Sequence, residues 1–525
     1  GLDNSAYNLV QSLAQWNVAP EGETIAITFG DQNVLPHMLN WEAHLAKTGM
    51  PLIVGALDHV MLEKLQERNI PCYEMITKFD GSNAHASASW KQFAAKRIGQ
   101  VRALQRLGYN VLMTDIDVAW LQDPRPYLNC PSDYTGEFAI HCQMIKDADV
   151  MVSSDNLCPK CDWDAGANYP IYGTLNTGIV YVKRTEKGQK WADEWLKNLE
   201  KPDLKGRYAT LTSDQQVFNM MMRKPDSWPG IKVWAEGEHD GRKTRITLAQ
   251  DPPGEEIKVG ILPLMLFMNG HGYFVQQAHK KVGINPIAVH ATYTFDGAGS
   301  TPKQHRFRSA GLWLTEADEY WLAPETGGRY LTYQPIMVPA PDGTKYTKNL
   351  IEAHLETMQR HVKSLKGAVA MALALNRTLV LPTFNCHCDK TWGGHDNIFK
   401  SKCMYPGAQD HPYLPAHCPF DHLFSPSAWE KSGISYRPSN FLTDTRVPGP
   451  VRHGGPARIE SMSRQEYKNK KAHQLAYPRG MTDKEAQYIL RRTDNVPVVE
   501  LLMADDTICE FEDPILKERF ETYMR

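Results

Sequence analysis

No apolar stretch in the chain approaches the roughly 20 residues that a membrane-spanning helix needs. The best runs, 260–268 and 367–375, are the size of core segments. No run of five or more like charges occurs, and the formal net charge is −2, which excludes the electrostatic footprint of nucleic-acid or polybasic membrane binding. Low-complexity tracts are missing, and so is the paired C-x2-C spacing of a zinc ribbon. What is there is a globular composition, 42% hydrophobic and 10% aromatic, spread over 525 residues. That is too long for one core and implies two or three domains. Gly1 is expected to open a trimmed ectodomain, with any membrane attachment confined to a signal anchor outside this chain.

The ten cysteines cluster. Cys130, Cys142, Cys158 and Cys161 form one group, and Cys386, Cys388, Cys403 and Cys418 another. Each group suits either zinc, with His387, His395, His411 and His417 near the second, or two disulfides. The spacings favour disulfides and hence an oxidising compartment. The sequon Asn376-Arg377-Thr378 agrees.

The segment 110–128, NVLMTDIDVAWLQDPRPYL, concentrates the chemistry. Read as a strand, it puts Asp115 and Asp117 on one face and turns Ile116 into the core. Paired carboxylates suit a hard divalent ion such as Mg2+ or Mn2+, which completes its shell with substrate phosphates. A strand end with two solvated acids is the plain alternative.

Around this segment strands alternate with helices. Residues 24–30 (TIAITFG), 51–58 (PLIVGALD) and 71–75 read as strands, and 33–48, 60–69 and 87–107 as helices. This predicts an α/β domain with a mostly parallel sheet and ligands at the strands' carboxyl ends, where Gly30, Asp58 and the two aspartates sit. Further on, 150–155 ends in Asp155, and 172–183 carries Asn176 and Gly178. Ser213 or Asp214 caps a helix that leaves Gln215 at its positive end. Residues 286–291 deliver His290, followed by Lys303, His305, Arg306 and Arg308, a basic cluster suited to a diphosphate.

The ordered set TFG, ALD, TDID, SSD, NTGIVYVKRT, SDQQVFN, VHATYTFDGAG and KQHRFR resembles the nucleotide-diphospho-sugar transferases of glycosyltransferase family 77, and within it the plant extensin arabinosyltransferases. The resemblance implies a GT-A type, Rossmann-like nucleotide-sugar-binding domain and a smaller α/β accessory domain with disulfides; the Pro- and Gly-rich stretch 324–328 is the expected boundary, which gives 1–323 and 324–525. It assigns Asp115, Asp117 and His290 to Mn2+ or Mg2+. Gly30, Asp58, Arg97, Asp115, Asp155, Lys303 and Arg306 go to the UDP-sugar donor, and Asn176, Asp214 and Gln215 to the reaction centre. Relatives commonly carry Lys before the D-x-D strand where this chain has Lys96 and Arg97, which leaves open which cation reaches the diphosphate. The same resemblance implies pairing of Cys386 with Cys418 and of Cys388 with Cys403. It also implies a retaining reaction, a hydroxyproline-rich glycoprotein acceptor such as extensin, and residence in the Golgi lumen. L-Arabinofuranose is the expected sugar, with galactose or xylose as alternatives. A glycan-binding scaffold and a metal-dependent phosphatase or nuclease are the rival classes. The first has no need of a complete metal and diphosphate set, and the second wants more ligands than this motif offers.

In the second domain 330–338, 378–382 and 496–503 read as strands, and 348–375 and 514–524 as helices. The basic, polar stretch 453–494 reads as a loop or a peripheral helical segment. The aromatics Trp392, Tyr405, Tyr413 and Phe420 suit either a groove for an extended acceptor peptide or core packing.

Overall fold

The protein is described by a computed structural model covering residues 4–76, 88–165, 175–200, 213–223, 230–234, 238–239, 242–243, 245–251, 255–296, 299–336, 338–339, 348–388, 416–471 and 473–524. It forms two compact units, one of 1–273 with 277–293 and the other of 274–276 with 294–525. The Pro/Gly-rich stretch 324–328 lies inside the second unit. Among the described residues no helix is long and apolar enough to cross a membrane.

In the first unit the strands are β1 Thr24–Gly30, β2 Leu52–Ala56, β3 Cys72–Glu74, β4 Asn110–Thr114, β5 Val118–Trp120, β6 Val150–Ser154 and β7 Leu175–Val182. They continue as β8 Gly230–Trp234, β9 Glu238–His239, β10 Arg242–Lys243, β11 Ile246–Asp251, β12 Glu255–Ile261, β13 Phe267–Asn269 and β14 Ala288–His290. Nine of them make one sheet in the order β3-β2-β1-β4-β7-β6-β12-β11-β8. The half from β3 to β4 is parallel. β7 then enters reversed between β4 and β6, and β11 and β8 are also antiparallel to their neighbours. The sheet is therefore mixed, not mostly parallel, because β7 runs antiparallel to both of its neighbours, β4 and β6.

Every residue of β1 is buried, as expected for a strand covered on both faces. Ile25, Ile27 and Phe29 face one core layer with Val101, Trp191 and Trp195. Ala26 faces the other with Met38 and Trp41. Trp191 and Trp195, one turn apart on the helix Glu186–Glu200, are fully buried core residues. This is an α/β sheet domain, as the alternation of strands and helices in the sequence predicts.

The second unit contains β15 Tyr330–Tyr333, β16 Thr378–Val380, β17 Phe384–Cys386, β18 Ala416–Cys418 and β19 Tyr436–Arg437. It goes on with β20 Ala457–Met462, β21 Ala476–Pro478, β22 Met481–Thr482, β23 Val498–Leu501 and β24 Ile508–Glu510. Six of these form a wholly parallel sheet, β19-β16-β15-β23-β20-β21. The 453–494 stretch is thus neither a loop nor a mere helical appendage: it supplies β20, β21 and β22. In β20 only Ile459 is buried, so the strand carries too few apolar residues to read as one. The helix Lys348–Ala374 packs Leu365, Val369 and Ala372 onto this sheet.

Cys130 pairs with Cys142 and Cys386 with Cys418. Cys158 and Cys388 are also disulfide-bonded. The expected partner Cys403 lies outside the described residues, as do His395 and His411. Phe420 belongs to the core, 4% exposed among Phe384, Phe424 and Trp429, so it lines no groove. Trp392, Tyr405 and Tyr413 lie outside the described residues.

Candidate active site

The site begins where β4 ends. The Asp115-Ile116-Asp117 segment is not a strand but the turn between β4 and β5, so the two carboxylates converge through a turn and not by strand alternation. Asp115 is anchored by its N–H, which donates to the Gly178 carbonyl at 2.9 Å. The Asp117 carbonyl accepts from Ala291 N–H at 2.9 Å. β5 runs antiparallel to β14 with Val118 opposite His290. That pairing carries His290 to the turn, with Nε2 at 3.2 Å from Asp117 Oδ1 and 3.7 Å from Asp115 Oδ2.

One ligand atom from each of Asp115, Asp117 and His290 lies within 4.8 Å of the others. Two carboxylates this close, with Asp117 buried, are costly without a cation between them. The oxygen and imidazole donor set fits Mn2+ or Mg2+. Gly178 makes room for this arrangement, because a Cβ there would fall 2.2 Å from His290 Cε1.

Arg97 reaches the same turn from the helix Ala88–Arg106, whose buried stripe runs through Phe93, Ile98 and Val101. Its guanidinium donates to Asp115 Oδ1 at 2.8 Å and lies 3.4 Å from Asp214 Oδ2. It also sits over the rings of Phe29 and Phe93. Burial opposes its charge, but the Asp214 and Asp115 carboxylates outweigh that and hold its pKa above the ordinary value. For Asp214 burial wins, and its pKa is raised despite Arg97.

A second network adjoins the first. Asp155 accepts from Asn176 Nδ2 at 2.8 Å and from Gln215 Nε2 at 3.4 Å. Gln215 Oε1 accepts from Thr177 N–H at 3.2 Å, so its amide is held at both ends. Asn176 Oδ1 accepts from Gly178 N–H at 2.7 Å. Burial raises the Asp155 pKa, and the hydrogen bond from Asn176 and the nearby His290 offset part of the rise. Ser213 caps the helix Asp214–Arg223 through its Oγ, which accepts from Gln216 N–H at 3.1 Å.

The first unit thus gathers Arg97, Asp115, Asp117, Asp155, Asn176, Asp214, Gln215 and His290. Gly30 and Asp58 sit at the ends of β1 and β2. Asp58 caps the helix His59–Gln66 and also accepts from Gln32 N–H at 2.8 Å, which is structural work.

Lys303 and Arg306 belong to the helix Ser300–Ser309 of the second unit. Lys303 is half-buried. Arg306 is 1% exposed, and Asp421 grips it bidentately at 2.6 and 2.9 Å. That guanidinium is committed to the interior of its unit.

Tyr293 stands within the VHATYTFDGAG motif, which by itself assigns it no role. It adopts φ 56°, rare for a bulky residue, and its hydroxyl donates to the Asp155 carbonyl at 2.6 Å. Strain of this kind is invisible in a sequence. The Arg97–Asp214 pair was equally hidden, since 117 positions separate the two residues along the chain.

The family model described as nucleotide-diphospho-sugar transferase matches residues 50–307. The chain is 28% identical over 94% of its length, and 72% of the relative's, to the arabinosyltransferase XEG113 of Arabidopsis thaliana. It is 23% identical over 59% of its length, and 70% of the relative's, to UDP-D-xylose:L-fucose alpha-1,3-D-xylosyltransferase 3 of the same plant. It is 22% identical over 40% of its length, and 26% of the relative's, to a UDP-galactose:fucoside alpha-3-galactosyltransferase of Dictyostelium discoideum.

Proposed function

Because the chain belongs to the nucleotide-diphospho-sugar transferases, we propose that it is a retaining, metal-dependent glycosyltransferase of the Golgi lumen. In this reading it moves L-arabinofuranose from UDP-β-L-arabinofuranose onto arabinosylated hydroxyproline of extensin-like cell-wall glycoproteins. The observation that carries the reading is the convergence of Asp115, Asp117 and His290 beside the Asp155–Asn176–Gln215 network. The arabinosyl assignment is supported by the relative whose match runs through both units, an arabinosyltransferase. Matches over a smaller share of the chain include a xylosyltransferase and a galactosyltransferase, which makes xylose or galactose the alternative donor sugar.

Asp115, Asp117 and His290 would hold Mn2+ or Mg2+, which would supply positive charge to the departing diphosphate. Arg97 orients Asp115 and delivers a second positive charge to the same turn. Lys303 is proposed as a partner of the donor phosphates. Gln215 is fixed by Thr177 and Asp155 and presents an amide, not a carboxylate, at the reaction centre. An amide cannot form the glycosyl ester of a double displacement. We read the transfer as same-face attack, in which the acceptor hydroxyl attacks on the face the diphosphate leaves and its proton passes to a leaving phosphate oxygen. Asn176 and Asp155 hold the sugar hydroxyls, Asp155 as a hydrogen-bond acceptor. Asp214 acts through Arg97 and is a positioning residue. The test is UDP release from a panel of UDP-sugars, with and without hydroxyproline arabinosides. Release from none of the donors in the presence of Mn2+ would overturn the assignment.

A further inference from the structure

The turn joining the helix Lys348–Ala374 to β16 holds the sequon noted above. Asn376 occupies the left-handed position there, φ 47°. Arg377 N–H donates to Ala372 O at 2.9 Å and Asn376 N–H to Leu373 O at 3.2 Å, the Schellman pattern that favours Gly or Asn at this position. The Asn376 side chain is exposed. The main-chain carbonyl of Asn376 accepts from Arg329, while its side-chain amide makes no hydrogen bond to a described residue. Thr378, two residues on, is 0% exposed. Its Oγ1 lies 2.8 Å from Thr326 Oγ1 and 2.9 Å from Ser435 Oγ. In the same unit Cys386 and Cys418 are joined, which marks an oxidising compartment.

We propose that Asn376 carries an N-linked glycan. The donor class is a polyprenyl-diphosphate oligosaccharide. The Asn376 Nδ2–C1 bond forms, the C1–O bond to the diphosphate breaks, one amide proton is released and the lipid diphosphate departs. The exposed, unengaged amide gives the glycan an outlet to solvent without disturbing packing. Burial of Thr378 sets the timing. A sequon is read through its Thr hydroxyl, which Ser435 encloses only after the chain 57 residues downstream has been made and docked. β19 then covers β16, with Leu379 opposite Tyr436. Glycan transfer therefore precedes closure of the parallel sheet, and the folded, unmodified chain is not a substrate.

The inference rests on the turn and the disulfides, not on sugar transfer by this protein, so an inactive but glycosylated chain leaves it standing. The test expresses the full-length gene with its native targeting in a eukaryotic host and follows the tryptic peptide 367–377 by mass spectrometry. Peptide N-glycosidase in heavy-oxygen water is expected to release a peptide bearing a labelled Asp at 376. Asn376→Gly, which suits the left-handed position, removes the glycan-sized mass shift with the fold intact, and Thr378→Ser retains it. Recovery of peptide 367–377 mostly unmodified from disulfide-bonded wild-type protein overturns the proposal, as does an unchanged mass shift in Asn376→Gly.

Discussion

At Gly178 a single hydrogen atom stands where any other residue would drive a Cβ to 2.2 Å from His290 Cε1 and 2.6 Å from Nδ1. His290 is held in β14, so the imidazole has to swing away from Asp117. Gly178→Ala should lower Mn2+ affinity by roughly 10–100-fold, the usual scale for disturbing the support of a metal ligand. Titration calorimetry would register that loss, and an unchanged affinity would remove Gly178 from the site. Gln215→Ala removes an amide held between Thr177 and Asp155. It should cut turnover by about 10²-fold, the scale of deleting one preorganised polar group, with UDP binding retained. A steady-state assay beside UDP calorimetry separates the two effects. The sequence already pointed to the residues of the candidate metal triad, because Asp-x-Asp is a local pattern and the family resemblance implied His290 beside it. Arg97 bridging Asp115 and Asp214, and Tyr293 in a strained conformation on Asp155, were beyond its reach. They are products of tertiary packing.

At the scale of elements, the strands of the first unit were legible because β1, β2 and β4 are short apolar runs bounded by turns. The reversed β7 was not. An apolar strand reads the same in either direction, and orientation is decided by where the preceding excursion returns. The Asp-x-Asp turn was misread as strand because β4 and β5 flank it within a single apolar stretch. In the second unit β20 escaped notice because it buries one residue only, and β21 because it is three residues long and ends in proline. The Cys386–Cys418 bridge closes a 32-residue separation and fixes β17 to β18. Replacing both cysteines by serine should cost about 2–4 kcal/mol. Calorimetric unfolding should register this, while Mn2+ binding by the first unit stays unchanged. An unaltered transition would make the bridge dispensable.

Across the whole molecule, three buried histidines stand out. Burial holds His279, His305 and His354 at about 4. Their folded values lie below the unfolded one, so the unfolded chain binds protons that the folded chain refuses. Their contribution to stability is complete above about pH 6.5 and falls as pH drops from there towards 4. Urea midpoints measured over that interval should decline steadily, and a flat profile would contradict the buried neutral state. The central claim concerns the first unit and is tested most directly by metal-dependent UDP release from UDP-β-L-arabinofuranose, compared between the wild-type chain and Asp117→Ala. The account predicts release by the wild type that needs Mn2+ and is stimulated by an arabinosylated hydroxyproline acceptor, with the variant losing both release and metal-dependent UDP binding. Equal release by the two proteins, or release indifferent to chelation, would contradict it.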